Sequence, residues 1–162
     1  MEPDSARVVW QGKKIGVSVE DWDGREREVV EHPGAVAIVA VDPDGRIAFV
    51  RQPREATRGH LLEIPAGTRE EGEAPLATAQ RELREECGLT GGEWTQLGGF
   101  WTTPGFTREY MDVFLAEDVE QGEAAPEADE DIEVVLLRPD EIRLSELEDA
   151  KSIAGLALYF GR

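Results

Sequence analysis

Cysteine, histidine, lysine and asparagine are all scarce in this 162-residue chain, and most of these scarcities close off a chemistry. The single cysteine, Cys87, excludes an intramolecular disulfide and a multi-cysteine zinc site, and it fits a reducing compartment. Two histidines, His32 and His60, leave little material for a histidine-based metal centre. Asparagine is absent and arginine outnumbers lysine fourteen to three, a bias compatible with a GC-rich genome or a warm host and without functional content. Bases as a class are outnumbered, 17 against 35 acids, and the net charge of −18 repels phosphate backbones and anionic membranes at long range. Neither a nucleic-acid partner nor a membrane surface is expected. No apolar run is long either: Ala35 to Val41 falls far short of spanning a bilayer, and Met1 to Ser5 lacks the basic and apolar parts of a signal peptide. The expectation is a soluble, cytoplasmic protein.

What remains is enough for one folded domain, since 40% of the residues are hydrophobic and they are patterned rather than scattered. Val17, Val19 and Trp22 lead into Asp23-Gly24, with Val29 and Val30 beyond, which reads as a hairpin. A second hairpin joins Ala35–Val41 to Ile47–Val50 through Asp42-Pro43-Asp44-Gly45, and the unbroken apolar run predicts a strand buried on both faces. A short strand at Leu61–Ile64, a Gly- and Glu-rich loop from Gly67 to Ala74 and a helix from Pro75 to Cys87 follow. Pro75 suits the first helical turn and Gly88 the left-handed cap. Strands are expected at Trp94–Trp101, Tyr110–Ala116 and Ile132–Leu137. A last helix, Asp149–Phe160, would turn Ile153, Leu156, Ala157 and Phe160 inward. The stretch Glu117–Glu133 holds nine acids and no base and reads as a mobile loop. Few helices among many hairpin-joined strands imply an α/β (α+β) class, a mixed sheet flanked by helices.

The helix carries the chemistry. Leu76, Ala79, Leu83 and Cys87 form its apolar stripe; beside it Glu82 and Glu86 stand four apart and Glu85 three after Glu82, within one helical turn. Three like charges so close raise one another's pKa unless a positive group sits among them. A hard divalent cation answers that need, and glutamates without His or Cys favour Mg²⁺ or Mn²⁺ over Zn²⁺. The plain alternative is a solvated acidic face, with Arg81 paired to Glu85 at i, i+4.

The surrounding segment decides between them. Gly67, Glu73, Arg81, Glu82, Leu83, Glu85, Glu86, Gly88 and Leu89 fill every specified position of Gly-x5-Glu-x7-Arg-Glu-U-x-Glu-Glu-x-Gly-U, with U a bulky aliphatic. Residue frequencies alone would produce this in such a chain with odds on the order of 10⁻⁵. The segment resembles the Nudix box. The resemblance implies the Nudix fold: a mixed β-sheet sandwiched between helices over residues 34–162, preceded at 1–33 by an antiparallel β-hairpin region used for dimerisation and for the substrate pocket. It also implies roles. Gly67 lets the loop turn and Glu73 pairs with Arg81, bracing the loop on the helix. Glu82, Glu86 and the Ala66 carbonyl bind metal, and Glu85 holds a second metal or orients water. Gly88 caps the helix.

The flanks resemble one subgroup, the ADP-ribose pyrophosphatases. Pro104 stands fifteen residues after Leu89, in Thr103-Pro104-Gly105-Phe106-Thr107, and the alternative for it is an ordinary Pro-Gly turn. Val50 to Arg54, Leu62 to Gly67 and Asp149 to Ile153 are similar to the subgroup as well. The resemblance places Glu28, Thr103, Gly105, Phe106 and Glu109 around adenine and the terminal ribose. It makes a late acidic loop the source of a catalytic glutamate, here Glu130 ahead of Glu127, with Glu85 as rival base. Arg51 and Arg54 would fork onto phosphate oxygens, or else pair with surface acids. Trp22 and Trp101 would stack on a base or belong to the core, and Cys87 is most simply a buried small hydrophobe. The implied protein is a homodimeric, Mg²⁺-dependent hydrolase (Mn²⁺ a substitute) of a nucleotide sugar, ADP-ribose first. GDP-mannose, another ADP-sugar, or a module that senses ADP-ribose without cutting it are the alternatives.

Overall fold

In the computed structural model, which describes residues 1–122 and 132–162, the alternating N-terminal segment becomes three antiparallel strands, β1 (Ser5–Gln11), β2 (Gly16–Trp22) and β3 (Arg25–Glu31), in the order β1-β2-β3. The Asp23-Gly24 turn closes β2 on β3 with both residues at positive φ, 53° and 77°, the mirror-image turn whose twist matches paired strands. Strand β1 is missing from the sequence reading because all seven of its residues are exposed, so burial imposes no alternation on them.

The seven residues of β4 (Ala35–Val41) are all buried, as the unbroken run predicts. After it come β5 (Ile47–Arg54), β6 (Gly59–Glu63), β7 (Ala66–Thr68), α1 (Pro75–Cys87), β8 (Leu89–Trp101), β9 (Tyr110–Gln121), β10 (Glu133–Leu137) and α2 (Ala150–Phe160). They build a mixed sheet in the order β10-β5-β4-β9-β8, with β6 on β5 and β7 on β4. Among the described residues of this sheet only β4 and β9 are parallel neighbours; the other pairs are antiparallel. Helix α1 covers one face, where Ala79, Leu83 and Cys87 meet Val36, Ile38, Ala40 and Phe114. Helix α2 covers the other, where Leu156 meets Ala37, Val39, Phe49 and Val113. The two faces of β4 thus feed two separate cores, which is why the strand carries no polar residue. The expected mixed sheet between helices is what the chain forms. Among the described residues no helix is long and apolar enough to cross a membrane.

Several boundaries differ from the sequence reading. Strands β8 and β9 run longer than expected, because Glu117 to Gln121 pair with Leu89 to Glu93 and bury Val119, although their acidic side chains look like loop. The short β7 takes in Gly67 and Thr68, the first residues of the expected loop. On α1, Leu76 is exposed while Thr78 and Glu86 are buried. On α2 the inward face is Ser152, Gly155 and Leu156, and Ala157 and Phe160 face outward. The reason is close packing: a Cβ at Gly155 would sit 2.7 Å from Ile64 Cδ1, so the helix docks through its smallest residues. Ser152 anchors it. Its hydroxyl accepts from the Ile64 N–H at 2.8 Å and bonds the Asp149 carboxylate, which also caps the helix by accepting from the Ser152 N–H.

The N-terminal sheet is stitched to the loop after β8. The Val30 N–H donates to Phe106 O at 2.7 Å, the Arg108 N–H to Val30 O at 2.9 Å, and the Arg108 guanidinium to buried Glu20 at 2.5 Å.

Ser152→Ala should leave the buried Ile64 N–H without an acceptor and lower stability by about 1–3 kcal/mol. Denaturant titration would measure it, and a loss below about 0.5 kcal/mol would mean that the hydroxyl does not anchor α2.

Candidate active site

Helix α1 starts with Pro75 in its first turn, where a missing N–H costs nothing, and ends at Gly88 with φ 65°, its N–H returned to Arg84 O. Between these stops the chain lays Arg81, Glu82, Glu85 and Glu86 on the edge facing the Gly67–Ala74 loop. One guanidinium organises them. Arg81 donates through Nε and Nη2 to the two oxygens of Glu73 at 3.2 and 3.1 Å. Its Nη1 donates to Glu82 and to Glu85 at 2.8 Å each. Glu73 also accepts from Thr78 Oγ1 at 2.8 Å and from the Glu70 N–H. The Arg81 hydrogen bonds hold the Glu73 carboxyl well below the ordinary 4.5, at about 2, against the opposing effect of burial. The same contacts, led by Glu73, push the guanidinium's own pKa upward. So the expected Glu73–Arg81 brace is present, and the Arg81–Glu85 pair coexists with it.

Glu86 is buried at 9% exposure and accepts from the Ala66 N–H at 3.0 Å, tying β7 to α1. Gly67 is needed for closeness rather than for turning. A Cβ there would stand 1.9 Å from Glu82 Cδ, so any other residue would evict the carboxylate. Cys87, one residue on, is buried and its thiol pKa is pushed up by that burial, which makes it inert packing.

Ala66, Gly67, Arg81, Glu82, Glu85 and Glu86 open on one cavity of about 840 Å³. Its donors suit a hard divalent cation: three carboxylates from one helix, no histidine, no thiolate. Among the described residues no three of them converge as a finished cage; Arg81 stands between Glu82 and Glu85. A hard divalent cation can be held by one or two carboxylates, with water and substrate oxygens completing the shell.

A second recess of about 400 Å³ lies across β7, sharing Arg54, Ala66, Gly67 and Thr68 with the first and adding Thr103, Glu109 and Lys151. Glu109 accepts from Thr102 Oγ1 at 2.7 Å and faces His32 at 3.6 Å. Glu28, Pro104, Gly105 and Phe106 line a third groove with Trp22, between the N-terminal sheet and the loop stitched to it. The structure therefore brings Thr103 and Glu109 into a recess that shares Ala66 and Gly67 with the carboxylate cavity, and gathers Glu28, Gly105 and Phe106 elsewhere. Arg51 lies apart from all of them: strand alternation turns it to the other side of β5, toward Phe49 and His60, where it pairs with Glu133 at 3.4 Å. Arg54 reaches the cavity but forks onto Glu63 at 2.8 and 2.6 Å. Trp101 is exposed and packs edge-on to Tyr110. Glu127 and Glu130 lie outside the described residues.

Glu63 is the residue that sequence reasoning passed over. It is 1% exposed, and although burial opposes ionisation, Arg54 and Lys151 together hold its carboxyl below the usual range. Its signal was there: a lone charge in Leu62-Glu63-Ile64, with a base to match in Lys151. Gln52, marked in the sequence only as part of the Val50–Arg54 match, and Arg69, which had no signal, also line the first cavity.

Residues 31–156 match the family model described as the NUDIX domain. A Bacillus subtilis protein named ADP-ribose pyrophosphatase is 44% identical over 128 residues, covering 76% of this chain and 69% of that protein. A Bacillus methanolicus protein named methanol dehydrogenase activator is 34% identical over 156 residues, 90% of this chain and 84% of that one. A solved structure titled as an ADP compounds hydrolase superposes with a TM-score of 0.80 over 99% of this chain and 94% of its own, at 20% identity, a likeness of fold.

Because Glu73 has its pKa lowered by folding, its contribution to stability is complete above about 4.5 and is lost as the pH falls toward about 2. Glu73→Gln should flatten the acid limb of the stability–pH curve in that window, as followed by thermal melts. An unchanged limb would remove Glu73 as its source.

Proposed function

This chain belongs to the Nudix family of hydrolases, and from that premise we propose that it hydrolyses ADP-ribose to AMP and ribose 5-phosphate with Mg²⁺, Mn²⁺ being able to substitute. The observation that carries the reading is the array of Glu82, Glu85 and Glu86 around Arg81, opening on a cavity that continues toward Thr103 and Glu109 beside the Pro104 loop. The Bacillus subtilis relative's name supports the choice of substrate. The rival of a non-cutting sensor is disfavoured, since a sensor has no chemical need for all three carboxylates.

Glu82, Glu86 and the Ala66 carbonyl would hold the cation, with Glu85 available to a second. Bound there, a divalent ion neutralises charge on the diphosphate and makes water acidic enough to ionise near neutrality. Arg81 keeps Glu82 and Glu85 on one side of the cavity and so fixes the face from which water reaches phosphorus. The water's oxygen bonds to phosphorus in line as the bridging P–O bond breaks, and the leaving phosphate departs on its own oxygen. The water's proton passes to a carboxylate. Glu130 is assigned that role from its place before Ile132, and Glu85 is the alternative. Glu109 offers acceptors to ribose hydroxyls, and the groove of Trp22, Glu28, Gly105 and Phe106 offers an aromatic and a polar side to a base.

The N-terminal residues 1–33 are assigned to dimerisation. Among the described residues strand β1 pairs only with β2 and leaves its outer edge open, with Val8, Val9 and Trp10 exposed, an arrangement that invites a second copy. The partner would then complete each pocket. A native mass equal to one chain, with full activity, would overturn the dimer.

Glu86→Gln keeps an acceptor for the Ala66 N–H, so folding should change little while kcat falls at least about 100-fold. A fall under tenfold would displace the metal site from α1. Phosphate release from ADP-ribose, ADP-glucose and GDP-mannose, each with Mg²⁺ or with a chelator, tests the substrate. Metal-dependent turnover fastest on ADP-ribose is expected; a preference for GDP-mannose would discard that choice.

A further inference from the structure

The cavity is lined by two unlike sets of groups, and only one of them consists of the carboxylates of α1. The arginines assigned to phosphate from the sequence are already engaged: Arg51 with Glu133 on the far side of β5, Arg54 with Glu63. Arg81 is shared among Glu73, Glu82 and Glu85. Three other cations line the cavity, Lys13, Lys14 and Arg69. Among the described residues none of them forms an ion pair, although the chain holds 35 acids to 17 bases.

Each is positioned by something other than a carboxylate. Arg69 follows β7; its N–H donates to Gly34 O and its Nη2 to Glu73 O, both at 3.0 Å, while its Nε is buried without an acceptor. Lys13 and Lys14, two of the chain's three lysines, form the turn between β1 and β2. That turn is closed by the Gly12 N–H donating to Ile15 O at 2.9 Å, and Trp10 lies so close over Gly12 that a Cβ there would meet its ring at 2.2 Å. The amide nitrogen of Gln52, a residue only 8% exposed, is a second buried donor without an acceptor on the same cavity. Buried donors without acceptors are costly and uncommon, and two on one cavity call for a ligand rich in oxygen acceptors.

We propose that Lys13, Lys14 and Arg69, with the Gln52 amide, form the wall that receives the diphosphate of the substrate, in the cavity that the carboxylates of α1 also line. This deepens the hydrolase reading and rests on it. Arginine supplies a fixed fork and the lysines mobile charge, and a local positive wall is what lets a chain of net charge −18 admit an anion at all. The N-terminal sheet then serves the site of its own chain through the lysine turn, in addition to any contact with a second copy.

The test is calorimetric binding of α,β-methylene-ADP, whose carbon bridge cannot be cleaved, to the full chain in Mg²⁺ at low and moderate salt. Lys13→Glu with Lys14→Glu should weaken binding roughly tenfold and flatten its salt dependence. Arg69→Met should weaken it by a similar factor, Arg69→Lys should restore most of it, and Arg7→Glu, outside the cavity, should leave it as it is. The lysine turn is exposed, so its variant stays informative if Arg69→Met fails to fold. Native-strength binding by the folded lysine variant overturns the proposal. If the native chain binds the analogue in this pattern yet leaves ADP-ribose intact, the wall stands and the substrate assignment falls. If ADP-ribose is hydrolysed while the variants bind as the native chain does, the wall falls and the hydrolase reading stands.

Discussion

One guanidinium holds the site together. Arg81 fastens the Gly67–Ala74 loop to α1 through Glu73 and at the same time bonds both Glu82 and Glu85, so that three carboxylates which would otherwise repel one another share one positive group. Remove it and two things fail together: the loop loses its anchor and the carboxylates lose the charge that lets them share an edge. Gly67 and Glu86 depend on that arrangement in turn. The first must lack a Cβ because Glu82 lies against it, and the second joins β7 to the helix only while the loop is held close.

The same rule governs the second recess. Glu63 is enclosed almost completely, yet it ionises readily because Arg54 and Lys151 converge on it from β5 and α2. In so acidic a chain, cations are the limiting resource, and Arg54, Arg81 and Lys151 are committed to holding carboxylates charged. A buried charge that lost its partner would be strongly destabilising, so these arginines are not at liberty to turn toward a ligand. Steady positions for the acids are obtained at the expense of free positive charge.

Elements under a local constraint were legible in the sequence: β4 from its run of seven apolar residues, buried on both faces, α1 from Pro75 and Gly88, the β2–β3 hairpin from Asp23-Gly24. Elements with no such constraint were not. Strand β1 buries nothing, the acidic end of β9 is held by backbone pairing with β8, and α2 docks through Ser152 and Gly155, residues that hydrophobic periodicity does not score. The site divides in the same way. Spacing along one helix located Glu82, Glu85, Glu86 and their brace. Partners supplied by a neighbouring strand of the sheet, as Glu63 on β6 is to Arg54 and Glu133 on β10 to Arg51, are set by register, and register emerges only when the sheet forms.

The parallel pairing of β4 with β9 also sets an order of events. Ala35 lies opposite Met111, 76 positions away, and α1 lies between them in the chain while packing over β4. Closing so long a loop costs entropy before any contact returns it, and such non-local pairings form slowly. A ribosome must therefore release β9 before β4 gains its inner neighbour, and until then α1 has only half a surface to lie on. Synthesis of the last third of the chain and assembly of the carboxylate edge, which sits wholly in the middle third, are in this way a single step.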